Sequence, residues 1–501
     1  MKKAFLISYR FPPQGGGGVQ RTLKYTRYLR DFGWEPVVHT ARNPHWDVWD
    51  PSLLDEIPVN VEVRKTGTFE IEKVENALRR LIRGARGNKA KSAPKSAPKS
   101  APKSASESAS EVAPKAVAPD AENADSPAAS PAASPAAGRA GGRGALGRLN
   151  DFLHKRLMIP DQQIFWVLPA FFAGIRQVRR TQASLIHTSS PPNSLHLYGG
   201  LLARWTGLPW VADFRDPWTD GPRRRRNYVN NPLREKIEKA MERWVVRNAD
   251  HVVVTAPPLR ERFLKKYEFL QEKNISVITN GYDVHDFDAA AAMTDKVLPQ
   301  AGFHLTGTGN IEHMFPAQHL FGAIAAACAK HEGLRRELCV HLVGAKKGPY
   351  DRLIADLGLQ DRVRYEGWVP HVESIRYLQE SNALLMCMIP QEGGGNEKLS
   401  GKGFEYLFMR KPFLCLAKQG LTSELFAQTE LAHIVDPYDE AGIERELIAL
   451  YEGRNDAVVA NEELVQKFDR KNLTGELAKI FQGLVDARSA APRSRVQEVA
   501  A

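Results

Sequence analysis

The sequence is poor in cysteine and lacks the long apolar runs of secreted and membrane-spanning proteins. Its four cysteines show no CxxC or Cys/His spacing, which argues against both a structural zinc site and a disulfide framework. The apolar run within MKKAFLISYRF is too short for a signal peptide, and the longest run, residues 164–175, is too short to span a bilayer. We therefore expect a cytoplasmic protein whose contact with a membrane is at most peripheral, on the inner face.

A low-complexity segment interrupts the chain between residues 84 and 144. It contains three KSAP units and three SPAA units, and it has no Leu, Ile or aromatic residue. Such a composition cannot offset the entropy of ordering by burial, so we predict a disordered insert, with a docking segment as the alternative. The insert carries +4 of the formal net charge of +11, and the excess on the rest of the chain favours an anionic partner.

Apolar runs that alternate with amphipathic segments predict two doubly wound α/β domains. KAFLISY, SLIHTSS and WVADF are runs of the first series, and FHLTGTG, CVHLVG and ALLMCMI belong to a second series that begins near residue 302. Near-continuous apolar strands joined by helices are typical of parallel sheets covered on both faces. We predict a first domain over 1–285, a second over 300–470, and a C-terminal helix and tail over 471–501.

Four consecutive glycines, residues 15–18, follow the first predicted strand and precede the first predicted helix. At the carboxyl end of a parallel strand, a glycine loop lets the backbone and the helix N-terminus approach a phosphate. The pattern is not GxGxxG followed by a ribose-binding acid, which disfavours a nicotinamide site. A surface turn without a ligand is the alternative.

A second glycine-rich motif, GGGNEKLSGKGFEYLFMRKP, follows the predicted strand ALLMCMI. It contains Glu397 and leads into a helix whose first turns carry Lys402 and Glu405. A lysine can meet a diphosphate, and a carboxylate can accept hydrogen bonds from two ribose hydroxyls. A capped surface helix with a solvated Lys/Glu pair is the alternative.

These motifs, together with SSPPNSLHLYGGLLARWTGLPWVADFRDPW and ITNGYD, resemble glycosyltransferase family 4, which has the GT-B fold. The resemblance covers almost the whole chain apart from the insert and the end of the C-terminal tail. It implies two Rossmann-like domains that face each other across a cleft. It also implies a retaining hexosyltransferase that moves a sugar from a UDP- or GDP-sugar to a glycan or lipid-linked acceptor in cell-surface polysaccharide synthesis.

The resemblance also implies roles for individual residues. Glu405 is expected to bind the donor ribose, and Glu397 to lie near the transferred sugar as a catalytic residue. The glycines expected to approach the donor diphosphate are Gly16, Gly17 and Gly18. Where relatives place an Arg and a Lys against the diphosphate, this chain offers Asn310 and His313, so Lys402 is expected to be the main cation.

Relatives often have a histidine near the reacting sugar, where this chain has Ser189 or Ser190. His187 and His196 are better explained as a packed strand residue and a helix residue. The resemblance suggests front-face displacement, in which the leaving diphosphate helps to deprotonate the acceptor, so that no strong protein base is required. The sequence contains no evident DxD-like motif, and we expect neither a metal ion nor a cofactor.

The DFRDPW segment ends another predicted strand. We predict that Asp213 and Arg215 bind acceptor hydroxyls and that Asp216 takes part in catalysis, with a structural ion network as the alternative. Downstream, the four arginines 223–226 lie near Trp210 and Trp218, which predicts either contact with anionic lipid phosphates or a solvated loop.

Two other functions compete with glycosyl transfer. A sugar-nucleotide epimerase on the same fold is disfavoured because the residues after each strand match transferases better. A nucleic-acid-binding protein is suggested by the pI of about 9.3. We expect no nucleic-acid partner, because the sequence lacks recognised binding modules and its charge is scattered along the chain.

Overall fold

The computed structural model describes residues 1–42, 44, 48–68, 158–221, 231–309, 316–345, 348, 350–388, 399–456 and 460–490. The predicted insert over 84–144 lies outside the described residues. So do the predicted site residues Glu397 and Asn310, together with His313 and the arginines 223–226.

Two separate parallel sheets confirm the predicted pair of doubly wound α/β domains. Among the described residues, the first sheet has seven strands in the order β3-β2-β1-β4-β5-β6-β7, and the second has six in the order β10-β9-β8-β11-β12-β13. The first seven strands are β1 (Lys2–Ile7), β2 (Trp34–Arg42), β3 (Glu62–Gly67), β4 (Leu185–Ser190), β5 (Trp210–Phe214), β6 (His251–Val254) and β7 (Ile275–Val277). The other six are β8 (Phe303–Thr308), β9 (Leu338–Val343), β10 (Val363–Gly367), β11 (Ala383–Cys387), β12 (Phe413–Leu416) and β13 (Ala432–Val435).

Helices cover both faces of each sheet, because the strands are apolar on both sides and must be shielded from water. Between β1 and β7 these are α1 (Gly17–Tyr28), α2 (Ile164–Thr181), α3 (Ser194–Thr206), α4 (Pro232–Asn248) and α5 (Pro257–Lys266). Then follow α6 (Val284–Ala291), α7 (Ala317–Lys330), α8 (Glu332–Glu337), α9 (Asp351–Asp356), α10 (His371–Glu380), α11 (Gly401–Met409), α12 (Leu421–Phe426), α13 (Glu440–Glu452), α14 (Glu462–Gln466) and α15 (Arg470–Ala490). Within the described ranges, no helix is long and apolar enough to cross a bilayer.

The chain passes between the two domains twice, and the two passages lie side by side. The Tyr282 N–H donates to Phe468 O at 3.0 Å, and the Arg470 N–H donates to Tyr282 O at 2.9 Å. After this return, α15 packs its apolar side, including Leu477 and Phe481, into the core formed by α1 and the first sheet. The last helix therefore belongs to the first domain by contact, although it follows the second in sequence.

Two local features differ from the sequence pattern. Strand β3 was not predicted, because it is a polar edge strand with exposed Arg64 and Lys65. On α4 the apolar Leu233 is exposed, whereas Glu238 and Glu242 are fully buried. Each of these carboxylates accepts a hydrogen bond from the segment that follows β5, and these hydrogen bonds offset the cost of removing the two glutamates from solvent.

Candidate functional site

In each sheet the strand order reverses at one point, and the glycine-rich motifs lie at these two points. In the first sheet the reversal falls between β1 and β4, and in the second between β8 and β11. Open α/β sheets bind ligands outside the carboxyl ends of their strands at such a reversal. The glycine loop follows β1, and α11 follows β11, as the sequence predicted.

The glycine loop ends in the N-terminus of α1. Gly16 is the N-cap residue, and its φ of 88° lies in the region that favours glycine. Gly17 and Gly18 form the first turn of the helix, and a Cβ at Gly17 would meet open space among the described residues. The first turn of a 12-residue helix with no side-chain cap can direct its N–H groups towards an anion.

Arg215 connects this glycine loop to the end of β4 through hydrogen bonds. Its Nη1 donates to Gly18 O at 2.6 Å, and its Nε donates to Ser190 O at 2.8 Å. Burial lowers the pKa of the Arg215 guanidinium, while Asp216 beside it acts in the opposite direction. Asp216 itself is half-buried on the loop that follows β5. Arg215 thus shapes the loop through backbone contacts, and this role differs from the predicted binding of acceptor hydroxyls.

Asp213 is fully buried at the end of β5 and is paired with Arg21 of α1. Arg21 Nε and Nη2 donate to the two carboxylate oxygens at 2.7 and 3.0 Å, and Ser189 Oγ donates at 3.1 Å. Burial alone would raise the pKa of Asp213, but Arg21 holds it well below its usual range. The geometry favours the structural ion network over the predicted acceptor contact, because both carboxylate oxygens are occupied and shielded from solvent.

The histidines of this region are packed side chains. His187 is fully buried on β4, with its Nε2 3.7 Å from Asp213. His196 is fully buried on α3, where its Nδ1 lies 2.8 Å from Thr188 Oγ1, and burial lowers its pKa to about 3. Trp210 and Trp218 are buried as well. The arginines 223–226, for which contact with lipid phosphates was predicted, lie outside the described residues.

Helix α11 is held against the carboxyl end of β8. Lys402 Nζ donates to Thr308 O at 3.1 Å, and Tyr406 Oη donates to Leu385 O at 3.0 Å. The Thr308 N–H in turn donates to Tyr406 Oη at 3.2 Å. Gly403 packs so closely on Phe426 that a Cβ there would overlap the ring. This contact explains the second glycine of the GKG motif, Gly403. It also holds Lys402 next to the point where the strand order of the second sheet reverses.

Glu405 lies one turn further along α11, and its side chain is 21% exposed. His371 Nε2, at the start of α10, is 3.6 Å from Glu405 Oε1 and 3.6 Å from Asp286 Oδ2. Burial raises the pKa of the Glu405 carboxyl, while His371 acts in the opposite direction. The imidazole therefore connects the predicted ribose-binding carboxylate to α6, which begins just after the first passage between the domains.

A buried lysine completes this connection to the first domain. Lys24 of α1 is 1% exposed, and its Nζ lies 2.6 Å from Glu56, 2.7 Å from Asp283 and 2.5 Å from Asp286. Tyr28 Oη donates to Asp283 Oδ1 at 2.5 Å. Sequence reasoning missed this cluster, because Lys24 and its partners on α6 are more than 250 residues apart. A lysine on the buried side of an amphipathic helix was the only available signal.

Comparison with known proteins agrees with this architecture. Residues 130–286 match the model of Glycosyltransferase Family 4. A 2-deoxystreptamine glucosyltransferase from Streptomyces kanamyceticus is 25% identical over 243 residues, which are 46% of this chain and 60% of that protein. The match thus covers less than two thirds of that relative.

Solved structures resemble the chain over nearly its whole length. Sucrose-phosphate synthase from Thermosynechococcus elongatus has a TM-score of 0.55 at 14% identity and covers 97% of this chain and 100% of its own. The Anabaena protein HepE in complex with UDP has a TM-score of 0.55 at 13% identity and covers 96% of this chain and 100% of its own. At such identities these likenesses show the fold.

Proposed function

We propose that this chain, a glycosyltransferase family 4-like protein with the GT-B fold, is a retaining glycosyltransferase that uses a UDP- or GDP-sugar. One observation carries the proposal: α11 holds Lys402 and Glu405 together where the strand order of the second sheet reverses. The glucosyltransferase relative supports a hexosyl donor. The proposed acceptor is a glycan or a lipid-linked sugar in cell-surface polysaccharide synthesis.

The donor would lie between α11 and the glycine loop. Lys402 would meet the diphosphate as a point charge, and Glu405 would accept the two ribose hydroxyls. The N-terminus of α1, with Gly16, Gly17 and Gly18, would supply backbone N–H groups to the same diphosphate. The cluster around Lys24 supports this arrangement, because it ties α1 to α6 and, through His371, to Glu405.

In the proposed reaction, the acceptor hydroxyl attacks the anomeric carbon on the face that the diphosphate leaves. Attack on that same face retains the anomeric configuration as the bond from the anomeric carbon to the diphosphate breaks. The departing phosphate oxygen takes the hydroxyl proton, so no strong protein base is needed. The protein contributes positioning and stabilisation of the negative charge on the diphosphate. Asp216 is kept as a candidate catalytic residue, whereas the buried Asp213 serves to hold Arg21.

A direct assay tests this proposal. The purified chain is screened for thermal stabilisation by UDP, GDP and their sugars, since a ligand at 100 times its Kd stabilises by about 2.7 kcal/mol. The stabilising sugar nucleotide is then incubated with and without acceptor extracts. Release of nucleoside diphosphate that depends on the acceptor supports transfer, and stabilisation by none of these nucleotides would contradict it. Conversion of UDP-N-acetylglucosamine to a new sugar without acceptor would indicate an epimerase.

We also propose peripheral contact with an anionic membrane through adjacent faces of α2 and α3. Leu168 and Phe172 on α2 and Trp205 on α3 are 67%, 66% and 62% exposed. Arg176 and Arg204 are exposed on the same two helices. Exposed apolar side chains beside arginines are typical of surfaces that insert into an anionic leaflet, where each basic residue contributes about 1 kcal/mol.

Vesicle sedimentation tests this surface. The chain should bind vesicles that contain anionic lipid in preference to neutral ones. The double variant Phe172→Ser/Trp205→Ser should lose most of the bound fraction, whereas Trp368→Ser, which removes an exposed aromatic residue of the second domain, should not. Equal binding by the double variant and the control would contradict the assignment.

A further inference from the structure

Away from the proposed donor site, two histidines and a cysteine meet on neighbouring strands of the second sheet. His304 lies on β8, Cys339 and His341 lie on β9, and their ligand atoms are all within 4.8 Å of one another. The strand register pairs His304 with Cys339. Since residues two apart on a strand share a face, His341 points to the same side as both. His304 Nδ1 and His341 Nε2 are 3.0 Å apart.

We propose that His304, Cys339 and His341 bind a thiophilic divalent cation of the zinc type. Zinc takes imidazole nitrogens at about 2.0–2.1 Å and a thiolate at about 2.3 Å in a tetrahedron, which places the two nitrogens roughly 3.3–3.4 Å apart. The observed nitrogen separation of 3.0 Å needs only a small adjustment to reach that value. Water would take the fourth position.

Glu366 on β10 orients one of the ligands. Its Oε1 lies 2.7 Å from His341 Nδ1, and Tyr377 Oη donates to its other oxygen at 3.4 Å. A carboxylate on Nδ1 keeps the proton there and leaves Nε2, the atom that faces His304, available as a ligand. Histidine ligands of metal ions commonly have such a carboxylate partner.

The accessibility of the cluster fits the same assignment. His304 also lines a surface recess of about 570 Å³ together with Gly302 and Asn382, which provides an entry path.

This site departs from the sequence expectation that the cysteines bind no zinc. That expectation rested on ligand spacing along the chain, whereas here one ligand comes from a neighbouring strand. The carboxylates of Glu56, Asp283 and Asp286 also lie close together, but they surround the ammonium group of Lys24. In that second cluster the Lys24 ammonium group already supplies the positive charge.

Titration of the full-length, chelator-treated chain with Co²⁺ alone tests the proposal. The wild type should bind one equivalent and develop a thiolate-to-cobalt charge-transfer band with the visible spectrum of a tetrahedral site, and Zn²⁺ should displace the cobalt. Cys339→Ala should lose the band, whereas Cys328→Ala, which removes a buried cysteine of α7, should keep it. Glu366→Gln keeps all three ligands and should weaken binding about 10- to 100-fold.

Circular dichroism of each variant confirms that it is folded before its spectrum is interpreted. A wild-type chain without the charge-transfer band would overturn the proposal, and so would a band that persists in Cys339→Ala. Cobalt bound with a carboxylate-type spectrum and no thiolate band would also overturn it.

Discussion

Lys24 Nζ lies 2.5 Å from Asp286 Oδ1, and this pair joins the helix that follows the glycine loop to the helix that follows the first passage between the domains. Asp283 and Glu56 contact the same ammonium group. Although burial opposes the charged form, these carboxylates raise the pKa of Lys24. The lysine thus holds together acidic groups that would repel one another without it.

Replacing Lys24 with methionine should therefore destabilise the protein strongly. The variant keeps much of the side-chain volume but leaves the clustered carboxylates without their cation, and breaking a buried ion pair costs about 3–5 kcal/mol. Urea unfolding measures the change. Lys239→Met, which removes a solvent-exposed partner of Glu235, should cost less than about 1 kcal/mol. Similar losses in both variants would show that the buried cluster has no special role.

The pair formed by Asp213 and Arg21 predicts a pH dependence of stability. The pKa of Asp213 is lower in the folded state than in the unfolded chain. The contribution of its carboxylate to the free energy of unfolding is therefore fully present above the ordinary pKa of 3.8, and it is lost as the pH falls through the folded-state pKa. Asp213→Asn should cost about 3–5 kcal/mol at pH 7. The difference in the free energy of unfolding between Asp213→Asn and the wild type should become smaller below about pH 4, as measured by urea unfolding at several pH values. A difference that does not depend on pH would contradict this assignment.

The packing of α11 predicts opposite outcomes at two nearby glycines. Gly403→Ala places a methyl group against the Phe426 ring and should cost about 1–3 kcal/mol through overpacking. A Cβ at Gly401 meets nothing within 4 Å among the described residues, so Gly401→Ala should be tolerated. Thermal unfolding compares the two variants. Equal stability would mean that α11 moves away from Phe426 at little cost.

The sequence predicted most strands because buried parallel strands are continuous apolar runs. It missed β3, whose charged side chains face water at a sheet edge. It also placed Asp213 and Arg215 among the acceptor ligands, because the position after a strand indicates a site but does not reveal what the side chains already bind. Their partners, Arg21 and Gly18, come from a helix almost 200 residues earlier.

The candidate donor site could be predicted only in part, because some of its residues stand next to strand ends in the sequence and others do not. Glycines and charged residues next to a strand end are local signals, and they indicated Gly16 and Lys402. His371 carries no such signal, because it reaches Glu405 only when α10 packs beside α11. The cluster around Cys339 for which we propose metal binding depends on the pairing of β8 with β9, so spacing along the chain did not reveal it.

Nucleotide binding by Glu405→Ala tests the central claim most directly. Glu405 would give charge-assisted hydrogen bonds to the ribose worth roughly 1.5–3 kcal/mol, so calorimetry should show UDP or GDP binding about 10- to 150-fold more weakly. Apo stability should change little, since alanine suits a helix, and Glu405→Gln should recover part of the loss. The control Glu424→Ala alters an exposed glutamate at the start of α12 and should bind as the wild type does. Near-normal affinity in Glu405→Ala would contradict the ribose assignment and, with it, the proposed donor site.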